Sequence, residues 1–362
     1  MARFRTGFSA LLIVLLVAVA GFGADLTTSL KAGKADLKSA GALAFGADGV
    51  IFVGDSLGGA IYAIDTQDRV AKGAAPVDVK GIQEKIAAVL GTSADQVLIN
   101  DLATNPASRN VYISVTRGRG TTATPVILRV DSTGKIEPLS LDNVKYAKSM
   151  LPNAPADTPG RNQRLEAITD LAFVDDQVYV AGLSNEEFSS NLRAIPFPFA
   201  QASNAGSSIE IWHASHGRFE TNSPVRTFVP YKVNQQTNIL AAYTCTPLVK
   251  LPVSQLKPGA HVKGTTIAEL GSGNRPLDMI VYSKGGKDFI LMANNSRGVM
   301  KLPVDNLDSY KALTTPSDIA GMRYETIQYL RGVEQLDKFD DGRAVILAKQ
   351  GGPLDLKTIA LP

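Results

Sequence analysis

Four acidic residues recur at one point of a repeated pattern. Asp101, Asp170, Asp278 and Glu334 each stand near the start of a short β-branched run. Arg226 takes the same place in another run, and Asn100 stands just ahead of the first. If these runs converge, carboxylates and an amide face one another, and such hard oxygen donors are what Ca²⁺ prefers. Like charges on a narrow axis repel unless a cation, the arginine or water offsets them. The alternative use is local, because an Asp at a strand entry accepts backbone N–H bonds from its own turn. Both readings stand: a calcium ion at Asp101, Asp170, Asp278 and Glu334, or a set of structural acceptors.

Softer ligands are few. Cys245 is the only cysteine, which excludes an internal disulfide, a C-x-x-C-H haem attachment and a Cys-rich zinc site. A thiolate there could bind a soft metal, pair with a partner's cysteine or act as a nucleophile. A free cysteine is more often a small buried hydrophobe. His213 and His216, in IWHASHG, have metal-pair spacing. Residues i and i+3 of a strand point to opposite faces, so the pair needs irregular backbone to share an ion. Two partly exposed histidines on an outer strand are the plainer expectation.

Other motifs tempt and fail. Gly54-Asp55-Ser56-Leu57 spells a serine esterase signature, but that serine needs a late Asp-x-x-His, and no histidine follows His261. A turn explains the same letters. Arg117 and Arg119 make an anion-site candidate on a glycine-rich tip, where solvated arginines are commoner.

The elements that position these residues are short β runs bounded by Gly, Asp and Asn turns. Ala42–Phe45, Val50–Gly54 and Ala60–Asp65 form one unit, and Asp101–Thr104, Val111–Val115 and Val126–Asp131 the next. Units follow near 170, 226, 278 and 334, a period of about 50 to 70 residues that suits a propeller blade with loops. Helix periodicity is confined to Ile82–Leu90, closed by Gly91. The pattern predicts an all-β, six-bladed β-propeller in one domain over residues 25–362. The last unit ends after its third strand, so Leu26 to Ala32 are expected to supply the fourth and close the ring.

The stretch ALAFGADGVIFVGDSLGGAIYAID, Ala42 to Asp65, resembles the six-bladed propellers of the NHL-repeat, TolB-like and gluconolactonase group. The resemblance implies that each first strand lines a central channel. Asp101, Asp170, Arg226, Asp278 and Glu334, with Gly41, then form an inner ring. Asp55-Ser56, Arg117 and Arg119, Asn185 to Glu187, Cys245, Asn294 to Arg297 and Lys349-Gln350 form an outer set on the same face. Gluconolactonases imply a metal held by Glu, Asn and Asp that activates a water or a lactone. Asn100-Asp101 matches their Asn-Asp pair, whereas Arg226 and Gly41 depart from the pattern.

Arg3 and Arg5, the apolar run Ala10 to Ala20 and the A-x-A site at Ala18-Val19-Ala20 read as an export signal cleaved near 20–24. Without those two arginines, 35 of the 37 Lys+Arg remain against 34 Asp+Glu. Near-neutrality argues against a nucleic-acid or anionic-membrane binder. The expectation is a monomeric periplasmic or secreted propeller without a transmembrane anchor, presenting its polar channel face to a protein or small-molecule partner. The alternatives are a calcium-dependent lactonase-type hydrolase, and an accessory protein of periplasmic redox metabolism that uses Cys245 and the histidine pair.

Overall fold

A computed structural model describes residues 25–70, 73, 75–158, 163–199 and 205–362. The export segment, Met1 to Ala24, lies outside the described residues. The chain forms six sheets arranged as a six-bladed β-propeller, antiparallel except where His261–Lys263 pairs parallel with Ser207–His213. Their innermost strands are Leu43–Phe45, Val97–Thr104, Asp170–Val174, Thr227–Val233, Pro276–Lys284 and Val333–Lys338, and we number the blades 1 to 6 in that chain order. Second and third strands follow where the β-branched runs and Gly/Asp/Asn turns lie. The second strands are nearly all core: Val50, Ile51, Phe52 and Val53 in blade 1, and Ile290 to Ala293 in blade 5, have almost no exposed surface. Such strands are covered on both faces, because each sheet is sandwiched between two neighbours.

The blades do not follow one another round the ring in chain order. Val111, Ile113 and Val115 of blade 2 share a core with Val345, Leu347 and Leu356 of blade 6. On its other side, blade 2 packs Tyr112 and Ile127 against Ile51, Val53 and Tyr62 of blade 1. Blade 1 in turn meets blade 3 through Phe52 and Val178. Cores between blades 3 and 4, 4 and 5, and 5 and 6 complete a ring ordered 1-3-4-5-6-2. Repetition in the sequence shows how many blades exist but not which faces meet, since every blade offers similar β-branched faces.

The outer strands knit this order together. Asp78–Val79, in the connection from blade 1 to blade 2, pairs with Leu356 and Lys357 as the fourth strand of blade 6. After blade 2 the chain returns, and Val144–Met150 pairs with Ala60–Asp65 as the fourth strand of blade 1. The ring is therefore closed by Asp78–Val79 and not by Leu26 to Ala32. Leu26–Ser29 is a 3₁₀ turn capped by the Asp25 carboxylate, which accepts the Thr27 N–H at 2.8 Å. Lys31–Gly33 adds a fifth, outermost strand to blade 1. The reason is pairing geometry: with blade 2 inserted between blades 1 and 6, the segment nearest the open edge of blade 6 is the one leading into blade 2.

Helix Ile82–Val89 follows directly, and Gly91 after it takes φ 62°, the left-handed position that glycine fills without strain. Its Ile82, Ile86 and Ala87 are buried in the core between blades 2 and 6. The GDSL letters form the expected turn. Asp55 is fully buried and accepts the N–H groups of Lys38, Ser39 and Gly58, while the Ser56 hydroxyl donates to the Ile168 carbonyl.

Candidate functional site

The inner strands bring Asp101, Asp170 and Asp278 together at the channel. Each carboxylate uses both oxygens on backbone donors. Asp101 accepts the N–H of Leu102 at 2.8 Å and that of Leu43, in blade 1, at 2.7 Å. Asp170 accepts Leu171 and, across to blade 4, Phe228, both at 2.7 Å. Asp278 accepts Met279 and, across to blade 6, Leu336, both at 2.8 Å. A fourth residue does the same: Asp337 accepts Lys338 at 2.7 Å and Thr104 of blade 2 at 2.6 Å. These bonds run the same way round the ring and cross the junctions 2–1, 3–4, 5–6 and 6–2.

Burial dominates the electrostatics. It pushes the Asp170 carboxyl up to about 7 and that of Asp337 up to about 6. Asp101 and Asp278 are raised well above the ordinary range, by burial first and then by neighbouring charge, that of Asp170 on Asp101 and those of Asp101 and Asp170 on Asp278. A narrow cavity of about 50 Å³ lies among Asn100, Asp101, Asp170, Arg226, Asp278 and Gln335.

Glu334 is not part of this ring. Register shifts by one residue between Ile99 and Asp101, between Pro276 and Asp278, and between Val333 and Gln335. Asn100, Leu277 and Glu334 are thus the extra residues of three equivalent β-bulges. Gln335 holds the position of Asp101 and Asp278, and Asp337, two residues on and on the same face, carries the charge. Glu334 is exposed at the edge of a larger depression. Asn100 donates to the Ala40 carbonyl at 2.8 Å and the Thr116 hydroxyl at 2.9 Å, fixing its bulge. Arg226 borders the cavity, but its charge is directed to Glu166, 2.6 Å away, rather than to the carboxylates.

Above the channel the surface widens. One cavity of about 390 Å³ is bordered by Asn100, Glu166, Arg226 and Arg275. It shares Ile99 and Arg275 with a second, of about 910 Å³, which Asn294, Asn295, Arg297, Gln328 and Arg331 also line. Asn294 accepts the N–H groups of Ser296 and Arg297, both at 3.1 Å, and so shapes the loop that carries Arg297. Arg297 donates to the Ser272 carbonyl at 3.0 Å, and its Nε is buried without a partner among the described residues. Arg331 donates to Gln328 at 3.0 Å. Burial, and then the neighbouring Arg226, push Arg275 below the ordinary arginine range. Among the described residues none of Arg275, Arg297 and Arg331 forms a salt bridge, although Glu166 and Asp318 lie near enough to attract Arg275 and Arg297. The sequence reading named Arg297 and Asn294 but missed Arg275 and Arg331, which sit just before a channel strand and carry no motif.

Cys245 lies at the turn between the second and third strands of blade 4, as the repeat predicts. Its sulfur and one ring nitrogen each of His213 and His216 all lie within 4.8 Å of one another. The histidines meet because the strand ends at His213, and the turn Ala214 to Gly217 folds back until the ring centroids are 3.8 Å apart. His213 is buried at 2% side-chain exposure, against the expectation of two partly exposed rings, while His216 is 40% exposed.

No protein-family model matches the sequence, and no curated protein is significantly similar to it. Among solved structures, the chain is similar to a PQQ-bound aldose sugar dehydrogenase of Streptomyces coelicolor at 14% identity. That match covers 91% of this chain and 96% of that one, with a TM-score of 0.33. A glucose dehydrogenase matches at 13% identity over 92% and 100% of the two chains, with a TM-score of 0.37. The extracellular region of plexin A4 matches at 8% identity over 92% and 47%, with a TM-score of 0.38. Propellers host unrelated functions, and these matches assign none to this chain.

Proposed function

We propose that this protein is an exported binding propeller whose channel face receives a ligand bearing anionic groups, either a small molecule or an acidic segment of a protein. One observation supports this most: Arg275, Arg297 and Arg331, three guanidinium groups that form no salt bridge among the described residues, border one depression of about 910 Å³ over the channel. Arginine presents a planar fork of donors that matches carboxylate, phosphate or sulfate. Asn294, Asn295 and Gln328 beside them offer neutral donors and acceptors for the remainder of the ligand. The hub below, with its carboxylates turned to backbone N–H groups, serves as a rigid base.

Thermal melting at constant ionic strength tests the reading, because a ligand of the native state raises the midpoint. Citrate, phosphate or sulfate should raise it relative to chloride, and Arg275→Ala/Arg331→Ala should remove the rise. An equal response in that variant would count against the site.

A calcium-dependent hydrolase is a second reading, favoured by the mutual repulsion of Asp101, Asp170 and Asp278. A bound cation would offset that repulsion. Calcium should then raise the melting midpoint and EDTA lower it. No response to either would remove this reading and leave the first intact.

A further inference from the structure

At the rim between blades 3 and 4, away from the hub, His213, His216 and Cys245 gather in a way that the anion-binding reading does not use. We propose that these three residues bind a single transition-metal ion of the copper or zinc class.

Ligand orientation is the first support. The His213 Nδ1 lies 2.8 Å from Glu220 Oε2, and the His216 Nδ1 lies 2.7 Å from Glu220 Oε1. A carboxylate accepts, so each Nδ1 carries the proton and, in the neutral ring, each Nε2 is left with its lone pair. One carboxylate thus fixes the tautomer of both rings, the arrangement that metal-binding histidines commonly have behind them. Glu220 itself is fully engaged. Ser223 donates to Oε2 at 2.8 Å and Arg218 to Oε1 at 3.1 Å, so it orients the ligands and is not one of them.

The second support is an unmet demand. The Nε2 of His213 is buried and has no hydrogen-bond partner among the described residues. A buried polar atom without a partner is costly, and a metal bond would satisfy it.

The third lies at the cysteine. Cys245 and Thr246 both occupy the left-handed region, at φ 64° and 51°, where non-glycine residues are strained. The Cys245 N–H is held by the Asn274 carbonyl at 2.8 Å, so a neighbouring blade pins the strained turn. Two imidazoles and a thiolate are a soft donor set, suited to copper or zinc and poor for Ca²⁺ or Mg²⁺. Three protein ligands also leave a fourth position open.

Titration of the reduced full-length chain with Co²⁺ reads the site directly. One equivalent should bind and produce a thiolate-to-cobalt charge-transfer band, which Zn²⁺ then displaces. Cys245→Ser should abolish the band. His216→Gln, at a partly exposed position that leaves folding intact, should weaken binding. Glu220→Gln should weaken it about 10- to 100-fold through loss of ligand orientation. Competition of Cu⁺ and Zn²⁺ against chelators ranks the two metals, and tight binding of either supports the site. No binding of any of the three ions would overturn the proposal, as would binding that is unchanged in both Cys245→Ser and His216→Gln.

Discussion

The Asp278 carboxylate accepts the backbone N–H of Leu336 at 2.8 Å, joining blade 5 to blade 6 at the wall of the channel. The other oxygen is filled by Met279, the next residue along its own strand. Asp101, Asp170 and Asp337 repeat the arrangement at three further junctions. Four single side chains therefore fasten neighbouring blades where the strands are closest to the axis.

Removing one fastener should be costly. Asp278→Ala leaves two inner backbone donors without an acceptor, at about 1–3 kcal/mol each. Asp278→Asn keeps one acceptor oxygen but turns an N–H₂ toward a donor, and should cost less than the alanine variant. Denaturant unfolding followed by fluorescence gives the order. Equal midpoints for wild type and Asp278→Ala would contradict the role.

Stability should fall as pH rises through the neutral range. The ordinary carboxyl value is 3.8, whereas folding raises Asp170 to about 7 and Asp337 to about 6. Between about pH 4 and 7 the native state therefore binds more protons than the unfolded chain, and stability declines with pH in that window. The melting midpoint should be higher at pH 5 than at pH 8, and Asp170→Asn should flatten the slope. A midpoint that climbs from pH 5 to 8 in metal-free buffer would run against this.

The fold was legible because each blade is written as runs of alternating turns and β-branched residues, and helix Ile82–Val89 by its 3.6-residue periodicity and Gly91. Ring order was not legible. Val111 or Val345 is equally suited to any facing blade, and a two-residue strand such as Asp78–Val79 has no pattern of its own. The acidic hub was half legible. Asp101, Asp170 and Asp278 could be read from the repeat, but blade 6 has Gln335 at the equivalent position and carries its acid two residues on, so the neighbouring Glu334 stood in for Asp337. The burial of His213 was not legible, because nothing in IWHASHG marks His213 as the last residue of its strand, after which the chain turns back.

Closure of the ring depends on the segment that the repeat did not reveal. Ile82, just after Asp78–Val79, is fully buried between blades 2 and 6. Ile82→Ala should cost about 2–5 kcal/mol, as large-to-small core changes do. Hydrogen exchange should show residues 77–79 and 354–358 losing protection together in this variant. Protection lost only within the helix would argue that the segment does not hold blade 6.

The anion-binding reading is tested most directly by titration calorimetry with citrate, on wild type and on Arg275→Ala/Arg331→Ala, at low and moderate salt. One site per chain, affinity that weakens as salt is added, and at least about a tenfold loss in the double variant (about 1.4 kcal/mol) are the predicted results. Absence of binding to the wild type, or equal affinity in both proteins, would contradict it.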